Sequence, residues 1–234
     1  MLDQIKGLHH VTSMAKDARN NNQFFTRKLG LRRVKQTVNF DEPSVYHLYY
    51  GDEKGTPGSV MTYFPFPNIA RGQFGTGEVG TTAFSVPENT LDLWSEHLTK
   101  NGVSGLSRRT TFGQKRLDFT GPEGDSFSLV ETRDDARAPW TTETVSDAFA
   151  IRGFHSASLR LRDAGATEEL LKFMGYEEVD KHGGISRLGL PNGNGADFID
   201  IETLPDVGFG RLGAGSVHHI AFAVEPGQAA RGSQ

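Results

Sequence analysis

Apolar and polar residues alternate in three similar stretches: Leu8-His9-His10-Val11-Thr12-Ser13-Met14-Ala15, Phe154-His155-Ser156-Ala157-Ser158-Leu159-Arg160-Leu161 and Val217-His218-His219-Ile220-Ala221-Phe222-Ala223-Val224. Each follows a Gly or Ser turn region and predicts a strand. A weaker copy is Gly80-Thr81-Thr82-Ala83-Phe84-Ser85-Val86. Three of the four copies lead into residues at helical spacing: Phe25 and Leu29, then Leu91, Trp94 and Leu98, then Leu170, Phe173 and Met174. That spacing predicts helices with one buried face each. The helices are expected to stop at Gly30, Gly102 and Gly175, because glycine takes the left-handed conformation that ends a helix.

Further strands follow each helix, broken by Gly/Pro-rich turns at 52–58, 120–125 and 191–197 that suit antiparallel connections. The last strand of each unit alternates again: 59–64, 126–131 and 198–202. Repetition at this scale predicts an α+β fold of tandem βαβββ modules over 6–67, 77–133 and 151–205, with a fourth starting near 215. We expect 1–133 to hold modules one and two, 134–150 to be a linker carrying Pro139 and many charges, and 151–234 to hold module three and the start of module four. The fourth module is expected to be truncated, because the residues after Val224 leave no room for a helix and three more strands.

Charge and composition narrow the function. With 25 basic and 29 acidic residues and no Lys/Arg run, the chain is not expected to bind nucleic acid. No apolar stretch approaches the roughly 20 residues that span a bilayer, and the start MLDQIKGLHHVTS lacks the apolar centre of a signal peptide, so no membrane partner and a cytoplasmic location are expected. The chain has no Cys, which leaves imidazoles and carboxylates as metal ligands, and its 8 His supply enough of the former.

Successive side chains of a strand point to opposite faces, so one member of each His-His pair is the candidate ligand. Module three keeps the first His as His155 but carries Ser156 in the second place, which singles out His10 and His219. A lone His at the start of a strand is more often a hydrogen-bonded structural residue; two pairs at equivalent repeat positions argue for a shared metal site. His97 is expected to be solvated on its helix and His182 to sit in a loop. His47 alternates with aromatic residues, and both a pocket wall and a packed strand fit it.

The stretches Leu8-His9-His10-Val11-Thr12, Tyr46-His47-Leu48-Tyr49-Tyr50, 55–62, Phe112-Gly113-Gln114, 152–156 and 217–224 resemble the vicinal oxygen chelate superfamily (glyoxalase, bleomycin resistance, extradiol dioxygenase), and within it the hydroquinone ring-cleaving dioxygenases. The resemblance implies modules paired into curled mixed-sheet pseudo-barrels, the first with the fourth around a metal and the second with the third beside them. It implies His10 and His219 as iron ligands, His9 and His218 as catalytic residues that move protons, and Thr12 as a substrate contact. The family's third ligand, a Glu on the last strand of the fourth module, would lie beyond Gln234; Glu131 and Glu202 belong to the other module pair. The implied activity is that of a non-haem Fe(II)-dependent, extradiol-type dioxygenase acting on a hydroquinone-type or catecholic aromatic with O2, with Mn(II) or Zn(II) as substitute metals. Tyr46, Tyr49, Tyr63 and Phe64 are candidates for stacking on the ring. Two other readings compete, a glyoxalase-type metal-dependent isomerase or lyase and a non-catalytic, bleomycin-resistance-like binder of aromatics. A homo-oligomer is expected, since a truncated module leaves sheet edges open.

Overall fold

The structure is a computed structural model and describes residues 4–39 and 42–225. The expected early end of the fourth module falls on residues 226–234, outside the described residues. Module one comprises β1 (Ile5–Ala15), α1 (Ala18–Gln23), a π-helical turn (Phe24–Lys28), β2 (Arg32–Val38), β3 (Tyr46–Gly51) and β4 (Val60–Pro65). Module two has β5 (Glu78–Pro87), α2 (Leu91–Lys100), β6 (Ser104–Thr111), β7 (Gln114–Thr120) and β8 (Ser126–Thr132). Module three has β9 (Gly153–Leu161), α3 (Gly165–Phe173), β10 (Glu177–His182), β11 (Ile185–Gly189) and β12 (Phe198–Thr203), and β13 (Val217–Val224) opens the fourth.

The helical crossover makes the first and last strands of a module parallel neighbours: β1 with β4, β5 with β8 and β9 with β12. First strands then pair antiparallel across modules, β1 with β13 and β5 with β9. Two mixed sheets result, ordered β13-β1-β4-β3-β2 and β10-β11-β12-β9-β5-β8-β7-β6. The tandem βαβββ architecture is therefore the observed fold, and module one shares its sheet with the strand that lies farthest from it in sequence.

Local chemistry explains the helices. The Asp17 carboxylate accepts from the backbone N–H groups of Arg19 and Asn20 and caps α1. The π-helical turn that follows buries two adjacent rings: Phe25 stacks on Tyr50 at 4.8 Å, and Phe24 lies 5.9 Å from Phe127 of module two. One apolar core thus runs from module one into module two. Gly30, Gly102 and Gly175 end the helical segments with φ of +69°, +66° and +96°, as expected.

Two helix expectations need correction. Met174, just past α3, is buried as expected, but its buried partner on the helix is Leu171, while Leu170 and Phe173 are 57% and 55% exposed. Both sets satisfy helical spacing, and packing rather than periodicity selects between them. His97 of α2 is half-buried, not solvated: its Nε2–H donates to the Lys28 carbonyl at 2.9 Å, and its ring meets Trp94 edge-on. The stretch between β8 and β9 is also fixed, since Trp94 Nε1–H donates to the Phe149 carbonyl at 2.7 Å and Val145 is fully buried.

Inside the eight-stranded sheet the polar groups are ionic. Arg187 makes two bonds to Asp200, at 2.6 and 2.8 Å, and Arg116 approaches the same carboxylate at 3.4 Å. Phe112 and Phe198 flank the Arg187 guanidinium at 4.1 and 4.8 Å. With these ion-pair side chains about 3% exposed, Asp200→Ala leaves two buried guanidiniums without their carboxylate and is expected to cost about 3–5 kcal/mol in a urea unfolding titration. A loss below about 1 kcal/mol would show that the pair contributes little.

Candidate metal centre

One face of the five-stranded sheet gathers the imidazoles. Positions 10 and 12 of β1 share a face; Thr12 stands opposite Thr62 of β4 and opposite His219 of β13. Crossing from β1 to β13 brings His10 Nε2 and His219 Nε2 to 3.1 Å. Thr12 Oγ1 lies 3.0 Å from the same His219 nitrogen.

The β1–β13 ladder is irregular in three places, and two of these bulges fall on the His-His pairs. Leu8 pairs with Phe222 and His10 with Ala221, which leaves His9 without an opposite residue. Thr12 pairs with His219 and Ser13 with Val217, which leaves His218 in the same position on the other strand. Strict alternation would place the two rings of each pair on opposite faces; a bulge re-aims the extra side chain. His9 Nδ1 consequently lies 3.0 Å from His10 Nδ1, and His218 Nδ1 lies 2.9 Å from His219 Nδ1. The expectation that the pairs split across the sheet is thus corrected. Each first His engages the Nδ1 of the second, and the two Nε2 atoms are left facing each other.

The same two bulges recur between β5 and β9, at Gly80 and His155. By register Thr81 and Ser156 occupy the places of His10 and His219, Gly80 is the counterpart of His9, and His155 is the counterpart of His218. His155 is 1% exposed; the Gln114 amide donates to its Nε2 at 3.0 Å, and its Nδ1–H donates to Ser156 Oγ at 3.2 Å. One sheet of the molecule therefore carries imidazoles at both inner positions, and the other carries hydroxyls.

Burial is the main cause that pushes His10 down to about 4, with His9, His219 and His47 adding to it. His219 is lowered by burial and then by His218. At neutral pH both rings are uncharged, the form with a lone pair for a metal. Two imidazole nitrogens about 2.1 Å from one ion, at a right angle to each other, stand about 3.0 Å apart. The observed 3.1 Å fits that arrangement. Among the described residues no three His, Asp or Glu side chains gather closely enough to hold an ion on their own. The two carboxylates of the other module pair are engaged elsewhere: Glu131 accepts from the Thr90 and Leu91 N–H groups at the start of α2, and Glu202 faces Arg160 at 3.7 Å.

Sequence reasoning left His47 open and did not single out Thr62. Both belong to the cluster: Thr62 Oγ1 is 2.7 Å from Thr12 Oγ1 and 3.0 Å from His47 Nε2. Alternation in β3 and β4 was the available signal, since His47 shares a face with Tyr49, and Thr62 with Phe64. Of the aromatic candidates, Tyr49 and Phe64 pack on His47 with centroids at 4.1 and 4.2 Å. Tyr63 turns away, fully buried, and donates to the Asp125 carboxylate at 2.6 Å, while Tyr46 at the start of β3 is 51% exposed.

Comparison with known proteins adds a family. Residues 7–129 match the Glyoxalase/Bleomycin resistance protein/Dioxygenase superfamily. MhqE of Bacillus subtilis (strain 168), named for ring-cleaving dioxygenase activity, is 40% identical over 228 residues, which are 97% of this chain and 74% of that protein. The chlorohydroquinone/hydroquinone 1,2-dioxygenase of Sphingobium indicum is 35% identical over 232 residues, covering 95% of this chain and 71% of that protein. A crystal structure of a Bacillus subtilis protein titled as a dioxygenase superposes with a TM-score of 0.89 at 38% identity, over 94% of this chain and 70% of that one. Glyoxalase I from Zea mays shares the fold, with a TM-score of 0.68 at 14% identity over 93% of this chain and 74% of that one. Among the described residues no helix is long and apolar enough to cross a membrane.

Burial also drives His155 well below the usual histidine value. Below pH 6.5 the unfolded chain therefore takes up a proton at this position that the folded chain refuses, and stability falls with pH. The contribution is about 1.4 kcal/mol per pH unit until the folded value is reached. Measured by urea unfolding, the stability gap between the wild type and His155→Gln is expected to shrink from pH 7 to pH 5. A constant gap would contradict the assignment of a neutral, buried His155.

Proposed function

The chain belongs to the Glyoxalase/Bleomycin resistance protein/Dioxygenase superfamily, and within it we propose a ring-cleaving dioxygenase that uses non-haem Fe(II) and O2 to open a hydroquinone-type or catecholic aromatic. The observation that carries the reading is the pair of facing Nε2 atoms, 3.1 Å apart, each on a ring whose Nδ1 meets a second imidazole. An ordinary structural histidine has no need of a partner arranged in this way. Metal-bound imidazoles are commonly oriented through the other ring nitrogen.

In this reading His10 and His219 hold the metal, and His9 and His218 fix the rotation of those rings. Two imidazoles with open positions beside them suit Fe(II), which when bound supplies the redox chemistry that joins an aromatic ring to O2. His9 and His218 border the same space and are the groups suited to hold or move a proton at Nε2. The Thr12 hydroxyl faces the site and is placed to hydrogen-bond a phenolic oxygen. Phe64, whose ring lies 6.1 Å from that of His218, offers the substrate ring a flat apolar wall. Opening beside a hydroxylated carbon, in the extradiol manner, is the regiochemistry we propose.

The direct test is anaerobic loading of the full-length protein with Fe(II), followed by hydroquinone or methylhydroquinone and O2. Uptake of O2 with the absorbance of a ring-opened semialdehyde is expected; no uptake would overturn the reading, and conversion of an α-keto hemithioacetal instead would favour glyoxalase-type chemistry. In equilibrium metal titrations, His10→Ala and His219→Ala are expected to abolish Fe(II) binding. His9→Ala and His218→Ala should weaken it by about 10- to 100-fold, and His155→Ala should leave it unchanged. Equal losses from all five variants would contradict the assignment.

A further inference from the structure

A chain of hydrogen bonds leaves the histidine pair through the sheet. Thr12 Oγ1 lies 3.0 Å from His219 Nε2 and 2.7 Å from Thr62 Oγ1. Thr62 Oγ1 lies 3.0 Å from His47 Nε2, and His47 Nδ1 lies 2.7 Å from the Tyr49 hydroxyl. Thr12 and Thr62 are 0% and 1% exposed, so solvent does not replace either partner, whereas Tyr49 is only half-buried and has Lys35 Nζ 5.6 Å over its ring. Phe64 and Tyr49 clamp the His47 ring between them. Both nitrogens of His47 are used, one on each side.

An uncharged imidazole carries its proton on one nitrogen, so this chain has two orientations. Either every hydrogen points toward Tyr49 or every hydrogen points toward Thr12. Burial first, then His219 and Lys35, push His47 down to about 4 and keep it in the uncharged form at neutral pH. If the lone pair of His219 Nε2 were committed to a metal it could not accept from Thr12, whose O–H would then donate to Thr62 and leave the Thr12 oxygen to accept from the substrate.

We propose that Thr12, Thr62, His47 and Tyr49 form the route by which a hydroquinone-type substrate's phenolic proton leaves the site through the sheet, with His47 and Tyr49 as positioning residues that set the direction of the Thr12 hydroxyl. The proposal rests on the ring-cleaving reading above. The substrate O–H proton passes to Thr12 Oγ1 as Thr12 gives its own to Thr62. Thr62 gives its proton to His47 Nε2, His47 releases the one on Nδ1 to the Tyr49 oxygen, and Tyr49 passes its own to water. One O–H or N–H bond forms for each that breaks, no electrons are transferred, and each residue ends with its original charge. The relay leaves the chain in the opposite orientation, and the starting one is restored when a proton returns along the same path.

Tyr49→Phe and Thr62→Val each remove one hydroxyl at nearly constant shape. In the Fe(II)-loaded full-length protein both are expected to lower kcat by about a hundredfold, with wild-type iron content and KM and a larger solvent deuterium isotope effect. Thr62→Ser restores the hydroxyl and should restore both quantities. Wild-type kcat and isotope effect in the two variants would overturn the proposal. A second measurement needs neither metal nor turnover: in the metal-free protein at neutral pH, the His47 ring N–H proton is expected to be visible by NMR, protected from exchange, and to disappear in either variant. Absence of that signal in the wild type, or its persistence in both variants, would overturn the hydrogen-bonded chain. A wild type that consumes no O2 would refute the ring-cleaving reading, and with it the substrate named here, even if the NMR signal behaves as expected.

Discussion

The antiparallel pairing of β1 with β13 sets where the four imidazoles of the two His-His pairs fall. The two strands lie more than two hundred residues apart in sequence, and His219 reaches His10 only because this ladder forms. The ladder is irregular by construction. An extra residue on each strand breaks the alternation at the first His of each pair, so four imidazoles meet where regular strands would present two. Backbone groups around the first bulge are satisfied by module three and by the turn before β4: Leu8 N–H donates to the Ala196 carbonyl, the Asn194 amide donates to the Leu8 carbonyl, and Gly58 N–H donates to the His9 carbonyl. Gly58 also accepts from Phe154 N–H through its own carbonyl, which ties the bulges of the two sheets to one loop. A distortion held at this many points is a stable feature of the fold and not a local slip.

The eight-stranded sheet is an internal control. Its backbone repeats the bulges, yet Thr81 and Ser156 stand where the other sheet has His10 and His219, and the same sheet buries the Arg187–Asp200–Arg116 cluster. The fold therefore supplies a pocket-forming backbone twice. The side chains differentiate the copies, one into a centre of neutral nitrogens and hydroxyls and the other into a closed ionic core.

Much of this was legible in the sequence because it is local. Turn glycines, helix spacing and the recurrence of the His-bearing strand are read within a few residues of one another, and they gave the modules and the choice of His10 and His219. The bulges were not legible, because a bulge is a property of two strands in register and neither strand reveals it alone. His47 and Thr62 were obscured for the same reason: each joins the cluster through the partner that β3 or β4 places beside it. On α3 the sequence permits two apolar faces with equal periodicity, and only the packing of Leu171 and Met174 decides between them.

The central claim is that His10 and His219 share one ion through facing Nε2 atoms. Anaerobic addition of Mn(II) in small steps, with the ring resonances of the 8 His followed by NMR, tests it most directly. The account predicts that the His10 and His219 signals broaden together at the lowest metal ratio, followed by those of His9, His218 and His47, while His155 and His182 stay sharp. Broadening of His155 first, or of one member of the facing pair without the other, would contradict it.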